Sequence, residues 1–153
     1  AKNPSRGKTL IMFGENGSGK TRTAKAIHRW ASRVAVLLPL VNSDDDIRLA
    51  IATYAHWPAV VDGFKKQEFF VTDELRDSEL MVIDDIGAAH DPSGFGSEQL
   101  CLLLSRRENC WNVFTTNLPP DKWHSKLERR IASRLFRNSQ HIDLSAVPDF
   151  STV

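Results

Sequence analysis

The fold of this chain is decided by the stretch Gly14-Glu15-Asn16-Gly17-Ser18-Gly19-Lys20-Thr21, which follows the pattern G-x-x-x-x-G-K-T of a phosphate-binding loop. Its glycines let the backbone curl so that successive N–H groups point at a polyphosphate. Lys20 can reach the β- and γ-phosphates, and the Thr21 hydroxyl can ligate Mg²⁺. We therefore expect every residue of this stretch to contribute to binding a nucleoside triphosphate.

The sequence on either side of the loop fits the strand–loop–helix unit that the motif requires. Residues 9–13 are a short apolar run that favours a β-strand, and residues 21–33 carry apolar side chains at helical spacing. These apolar side chains are Ala24, Ile27, Trp30 and Ala31. A chance glycine-rich turn would not need this context, so we interpret the loop as functional.

A second motif is the pair Asp84-Asp85, which ends the apolar run of residues 80–83. A hydrophobic strand that ends in carboxylates is the Walker B arrangement, and the carboxyl ends of parallel strands line the ligand crevice. We expect Asp84 to hold Mg²⁺, directly or through water. We expect Asp85 to orient and deprotonate the water that attacks the γ-phosphate.

The remaining elements are predicted from apolar runs and helical spacing. Further strands are predicted at residues 34–38, 112–117 and 141–144. Helices are predicted at residues 47–54, 59–66, 98–107 and 128–136. The alternation of strands and helices indicates a single domain over residues 1–153, an α/β three-layer P-loop NTPase with a parallel sheet of about five strands.

Composition and cysteine content narrow the class of protein. The chain has 153 residues, of which 41% are hydrophobic and 25% charged, as in an ordinary soluble globular domain. Cys101 and Cys110 lack a C-x-x-C spacing, which favours a reducing compartment, and we expect the cytoplasm. No apolar run approaches the ~20 residues of a membrane span, so we expect no membrane partner. Because the sequence begins at Ala1 in a polar stretch, we expect a fragment that lacks an upstream domain.

Taken in this order, the motifs resemble those of the AAA+ ATPases. Within that family the chain is most similar to bacterial helicase loaders of the DnaC and DnaI type and to the related transposition ATPase IstB. The matching stretches are Ile83-Asp84-Asp85-Ile86-Gly87, Thr115-Thr116-Asn117-Leu118 and Arg130-Ile131-Ala132-Ser133-Arg134-Leu135. The closing Pro148-Asp149-Phe150 echoes a D-[YF]-R ending, but Ser151 stands where that pattern has arginine.

The resemblance assigns roles to three further residues and names ATP and Mg²⁺ as the cofactors. Asn117 is similar to the sensor 1 residue, which contacts the γ-phosphate or the attacking water. Arg134 corresponds to the arginine finger, which acts on the ATP of a neighbouring subunit, and Arg130 would support it from one helical turn earlier. The resemblance also implies that no C-terminal helical lid is present.

The resemblance further implies an ATPase that is weak without its oligomer or DNA. The active state would be a homo-oligomer that binds ATP or ADP and single-stranded DNA. A replicative helicase would be contacted through the missing N-terminal domain. Lys65 and Lys66 beside Phe64 are a weak candidate for the DNA surface, since a solvated charge pair beside a core phenylalanine would look the same.

Three other functions stay open from the sequence. A small-molecule P-loop kinase would use Arg129, Arg130 and Arg134 as lid arginines, but no acceptor site or lid is evident between residues 22 and 79. A superfamily 3 helicase motor of a small DNA virus shares the Asp-Asp pair and a strand that ends in asparagine. A P-loop protein that binds nucleotide without hydrolysing it is the third.

Overall fold

The computed structural model of this chain describes residues 9–37, 52–66, 70–107, 110–136 and 139–148. Its strands are β1 (Thr9–Phe13), β2 (Ala52–His56), β3 (Leu80–Asp84), β4 (Trp111–Thr116) and β5 (Ser139–Asp143). Its helices are α1 (Lys20–Leu37), α2 (Trp57–Lys65), α3 (Phe70–Asp77), α4 (Phe95–Arg106), α5 (Pro120–Lys126) and α6 (Arg129–Phe136).

The five strands form one parallel sheet in the order β2-β3-β4-β1-β5. The register aligns the carboxyl ends, since His56 pairs with Asp84, and Phe13 pairs with both Thr116 and Asp143. The loops that follow the strands therefore meet along one edge of the sheet, where α/β proteins bind ligands. The predicted α/β class with about five parallel strands is confirmed.

Alternating side chains of the strands divide the core between the two faces of the sheet. Ile83 and Phe114 belong to the larger buried cluster, to which helices α2–α6 contribute. Val82 and Val113 point the other way, toward Ala24 of α1. In the part of the chain that the structure describes, α1 is the one helix on that second face. The domain thus has the expected three layers.

Two of the predicted elements are wrong. Residues 34–37, predicted as a strand with Leu38, continue α1, and Leu38 lies outside the described residues. A short apolar run does not distinguish a strand from a buried helix, and extending an existing helix needs no new nucleus. The helix predicted at residues 47–54 is also wrong, because β2 begins at Ala52; residues 47–51 lie outside the described part.

Strand β2 shows why local spacing misled the prediction. It pairs with β3 along its whole length, and this tertiary pairing outweighs the local preference of its residues. Pro58 lies in the first turn of α2, where its missing N–H costs nothing. The other predicted strands and helices are confirmed, with ends shifted by a few residues.

A buried arginine fixes the end of the sheet opposite the aligned carboxyl ends. Arg107 is 1% exposed, and its Nε donates a hydrogen bond to Asn112 Oδ1 at 2.9 Å. Its two terminal nitrogens donate to the backbone carbonyls of Leu75, Arg76, Ser78, Glu79 and Trp111. Burial lowers the pKa of the guanidinium from its usual value. One side chain therefore ties the end of α3 to the starts of β3 and β4.

Two further expectations from composition can be compared with the structure. Cys101 and Cys110 are both free thiols. No helix among the described residues combines the length and the apolar character needed to cross a membrane.

Replacing Arg107 by alanine should destabilise the fold by about 3–5 kcal/mol, because several buried carbonyls would lose their donor. Urea denaturation followed by circular dichroism measures this loss. The exposed neighbour Arg106 provides the control, since Arg106→Ala should change the free energy of unfolding by less than about 0.5 kcal/mol. Equal stability of the two variants would contradict the structural role of Arg107.

Candidate nucleotide-binding site

The loop between β1 and α1 has the conformation that its glycines predict. Gly17 and Gly19 have φ values of 80° and 85°, in the left-handed region that side chains disfavour. At Gly14 a Cβ atom would lie only 2.9 Å from the carbonyl carbon of Leu144. The loop therefore curls tightly at the N-terminus of α1 and packs against the segment that follows β5.

The side chain of Lys20 folds back into this loop. Its Nζ donates hydrogen bonds to the carbonyls of Gly14 (2.9 Å) and Glu15 (2.6 Å) and to Ser18 Oγ (3.3 Å). Burial lowers the pKa of Lys20, while the nearby carboxylates of Asp85 and Asp84 oppose that shift. A positive charge is thus held at the centre of the loop.

Asp84 ends β3 with a carboxylate that is 1% exposed and fully hydrogen-bonded. Its Oδ1 accepts hydrogen bonds from the hydroxyls of Thr21, at 3.2 Å, and Thr115. Its Oδ2 accepts one from the Tyr54 hydroxyl at 2.8 Å. Burial, together with this bond to Asp84, raises the pKa of Tyr54 well above its usual value. Three elements of the fold, α1, β2 and β4, therefore converge on one carboxylate.

Thr21 and Asp84, the two residues expected to hold Mg²⁺, carry oxygens of the kind that this ion binds. Hydroxyl and carboxylate oxygens are the hard ligands that this ion prefers, and it commonly binds through one or two protein groups, substrate phosphates and water. The described residues contain no group of three His, Cys, Asp or Glu side chains that could hold a metal alone. A bound Mg²⁺ would supply neutralisation of the phosphate charge.

Asp85 presents its carboxylate to the same region from a strained backbone position. Its φ is 69°, a left-handed conformation that aspartate tolerates better than most residues, and its N–H donates to Thr115 Oγ1 at 2.8 Å. Asn117 Nδ2 donates to Asp85 Oδ1 at 3.4 Å, and His56 Nε2 lies 3.7 Å from Oδ2. The side chain remains 31% exposed, so water can reach it.

Part of this site lines a cavity of ≈ 450 Å³, a size that suits a small ligand. Asp84 is not in the wall of this cavity but accepts a hydrogen bond from Thr21, which is. The wall contains residues of the phosphate loop together with Asp85, Thr115 and Asn117. Three basic side chains of α1 complete the wall, namely Arg22, Lys25 and Arg29. The structure therefore brings the predicted loop, Asp84, Asp85 and Asn117 together at one edge of the sheet.

Solved structures of replication proteins share this fold. A DnaC helicase loader superposes with a TM-score of 0.69 at 17% identity, over 93% of this chain and 81% of that one. DnaI gives a TM-score of 0.65 at 21% identity, over 94% and 77% of the two chains. The replication initiator DnaA, bound to AMPPCP and single-stranded DNA, gives 0.65 at 15% identity, over 88% and 40%. The chain has the AAA+ fold.

The likeness to AAA+ proteins is structural. No protein-family model matches the sequence, and no curated protein matches it either. At identities of 15% to 21%, it is the TM-scores of 0.65 to 0.69 that establish a shared fold. The chain spans 40% of the DnaA chain that it matches, and about four fifths of the DnaC and DnaI chains.

The two arginines expected to act in catalysis lie apart from this cavity. Neither Arg130 nor Arg134 is among its lining residues. Arg134 Nη1 donates to the Arg130 carbonyl at 3.4 Å and contacts Cys101 Sγ on α4 at 3.8 Å. Its buried Nε has no hydrogen-bond partner among the described residues. Arg130 is exposed and forms an ion pair with Glu128. Their assignment as finger and support stays a prediction.

Sequence reasoning missed three residues of the site. Tyr54 and His56 lie on β2, whose first three residues the sequence predicted as part of a helix. Thr115 stands in the stretch matched to the family, but only the structure shows its hydroxyl bonded to both Asp84 and the Asp85 backbone. Thr115 could have been found from the sequence. Side chains two residues apart on a strand share a face, so Thr115 lies on the same face as Asn117.

Replacing Asp85 by asparagine should preserve ATP binding and slow hydrolysis by about 10²–10⁴-fold, because an amide cannot accept the proton of the attacking water. Asp84→Asn should instead raise the Mg²⁺ concentration needed for binding. Phosphate release measures the effect of Asp85→Asn. A fluorescent ATP analogue titrated with Mg²⁺ measures the effect of Asp84→Asn. The exposed Asp121→Asn is the control. Parent rates in both site variants would contradict the Walker B assignment.

Proposed function

We propose that the chain is an ATP-hydrolysing AAA+ ATPase that binds single-stranded DNA and acts in loading a replicative helicase. The observation that carries the ATPase part is the convergence of a phosphate loop, the Asp85 carboxylate and an asparagine on one cavity at the carboxyl edge of a parallel sheet, with the Asp84 carboxylate bonded to Thr21 of its wall. Such an arrangement offers phosphate binding, a base and a water-positioning group within reach of one another.

In the proposed reaction, backbone N–H groups of the loop and the Lys20 ammonium bind the β- and γ-phosphates. A water molecule held by Asn117 and Asp85 attacks the γ-phosphorus, and the bond to the β-phosphate oxygen breaks. Asp85 accepts the proton of that water. The products are ADP and inorganic phosphate, and rate enhancement comes mainly from positioning and electrostatic stabilisation.

The position of α6 supports a role for Arg134 in a neighbouring subunit's site. Arg134 and Arg130 lie outside the cavity of their own chain, on a helix that packs against α4. A finger arginine supplied in trans would stabilise charge on the transferring phosphoryl group, an effect worth ~10³–10⁵ in rate for GTPases. The active form would then be a homo-oligomer. The same position argues against lid arginines of a kinase, which must reach the cavity of their own subunit.

The DNA and helicase parts of the proposal rest on the structural relatives. One of them is a helicase loader, and another is an initiator bound to AMPPCP and single-stranded DNA. A loader would contact its helicase through a further, N-terminal domain and would act in the cytoplasm. The two free cysteines agree with a reducing compartment.

Lys20→Ala tests the nucleotide site directly. Loss of the ammonium should weaken ATP binding by at least about 100-fold, because a charge-assisted contact to phosphate is removed. Isothermal calorimetry measures the affinity, and phosphate release should fall in parallel. Lys122→Ala, an exposed lysine on α5, should leave both unchanged. Undiminished ATP affinity in Lys20→Ala would refute the proposed site.

Arg134→Ala should bind ATP nearly normally but hydrolyse it slowly, and activity per subunit of the parent should rise with protein concentration. Mixing Arg134→Ala with Lys20→Ala should restore part of the activity, because one subunit's cavity is completed by the other's arginine. Phosphate release in the presence of single-stranded DNA is the measurement. Arg129→Ala, an exposed arginine on the same helix, should behave like the parent. If no mixture recovers activity while the parent is active, the role in trans is wrong.

A further inference from the structure

Helix α1 carries an unbalanced charge. Its sequence KTRTAKAIHRWASRVAVL contains five lysines and arginines and no acidic residue. Four of these cations are exposed and lie at positions i, i+3, i+7 and i+11, so they form one line opposite the buried side of the helix. They are Arg22, Lys25, Arg29 and Arg33, here called the α1 stripe. The stripe is about 16 Å long, from 1.5 Å of rise per residue.

The α1 stripe is electrostatically unfavourable in the protein alone. Lys25 and Arg29, and then Arg29 and Arg33, are like charges at i, i+4, which destabilise a helix. Arg22 adds a positive charge near the positive end of the helix dipole. None of the four forms an ion pair with a carboxylate of the described residues, whereas exposed Lys65 pairs with Asp62. An anionic partner would relieve this repulsion.

An exposed aromatic side chain borders the α1 stripe. Trp30 is 67% exposed and lies one helical turn before Arg33, so the two side chains are neighbours on the helix surface. Exposed aromatic rings beside a line of cations are the elements that bind single strands, since cations follow the phosphates while bases stack on the rings. An acidic protein surface would form ion pairs with the cations but would not account for the exposed ring of Trp30.

The surface suggested by the sequence is less suitable. Phe64 is 7% exposed and packs in the core, so it cannot stack with a base. Lys65 is already neutralised by Asp62 at 2.9 Å. Lys66 is therefore the one cation of that pair without a carboxylate partner among the described residues.

We propose that the α1 stripe and Trp30 form the surface that binds single-stranded DNA. The inference rests on the proposed function, because it assigns the DNA-binding role to a particular surface. Arg22, Lys25 and Arg29 also line the nucleotide cavity, so the DNA path begins at the mouth of the ATP site. Arg33 and Trp30 lie outside that cavity and can be changed without touching it.

Anisotropy of a labelled thymidine oligonucleotide, titrated with the 153-residue chain at several salt concentrations, tests the proposal. Four phosphate contacts predict a log–log salt slope of about −2.8, a loss of about 50-fold in affinity between about 50 and 200 mM salt. Arg33→Ala should reduce the slope to about −2.1. Trp30→Ala should weaken binding by about 5- to 150-fold without changing the slope, and Trp30→Phe should retain most of the affinity.

Lys122→Ala, on the opposite face of the sheet, is the control and should match the parent in affinity and slope. ATP hydrolysis without DNA should be unchanged in Arg33→Ala and Trp30→Ala, which shows that both variants fold. Parent-like DNA binding by both of these variants, with weakened binding by Lys66→Ala, would overturn the inference and leave the proposed function intact. Absence of DNA binding by a parent that hydrolyses ATP would refute the DNA part of the proposed function as well. If Arg33→Ala and Trp30→Ala bind DNA normally but lose binding to an acidic protein, the stripe is a protein-binding surface and the proposal is overturned.

Discussion

The buried carboxylate of Asp84 is the constraint on which the site depends. A charge that is 1% exposed is costly unless its oxygens are fully hydrogen-bonded. The donors are hydroxyls from α1, β2 and β4, supplied by Thr21, Tyr54 and Thr115. Because Thr115 also accepts the N–H of Asp85, the same arrangement orients the neighbouring carboxylate. The folding that brings these three hydroxyls to Asp84 therefore also assembles the edge of the sheet where the phosphate loop begins.

The parts of the site that the sequence predicted are those whose chemistry is contained in a short stretch. The phosphate loop depends on glycines at fixed spacing, and the structure gives Gly17 and Gly19 the backbone angles that only such residues adopt easily. The Asp84-Asp85 pair likewise follows directly from a buried strand. The order of alternating elements was enough to predict the α/β class and the number of parallel strands, because few connections between such elements are possible. One of the predicted strands, at residues 34–38, was nevertheless wrong, and β2 was missed.

What the sequence did not reveal depends on partners distant in the chain. Strand β2 exists because it pairs with β3, so Tyr54 and its bond to Asp84 could not be inferred from local spacing. Arg107 is a residue type that is nearly always exposed, and only the assembled backbone shows the carbonyls that surround its guanidinium. The charges of α1 and Trp30 all lay within the helix predicted at residues 21–33, but Trp30 was counted among the apolar side chains of that helix, and only the structure shows that it is exposed.

The hydrogen bonds that Lys20 makes within its own loop have a consequence for selectivity. The loop is curled around a positive charge that its own carbonyls hold in place, and a site organised in this way loses little conformational freedom on binding. A ligand that draws the ammonium away from the Gly14 and Glu15 carbonyls must offer acceptors at least as good, which phosphate oxygens do. A nucleoside without phosphates has no such acceptors for the Lys20 ammonium. Under the proposed function, competition with the protein's own backbone would favour ligands that carry phosphates over a nucleoside.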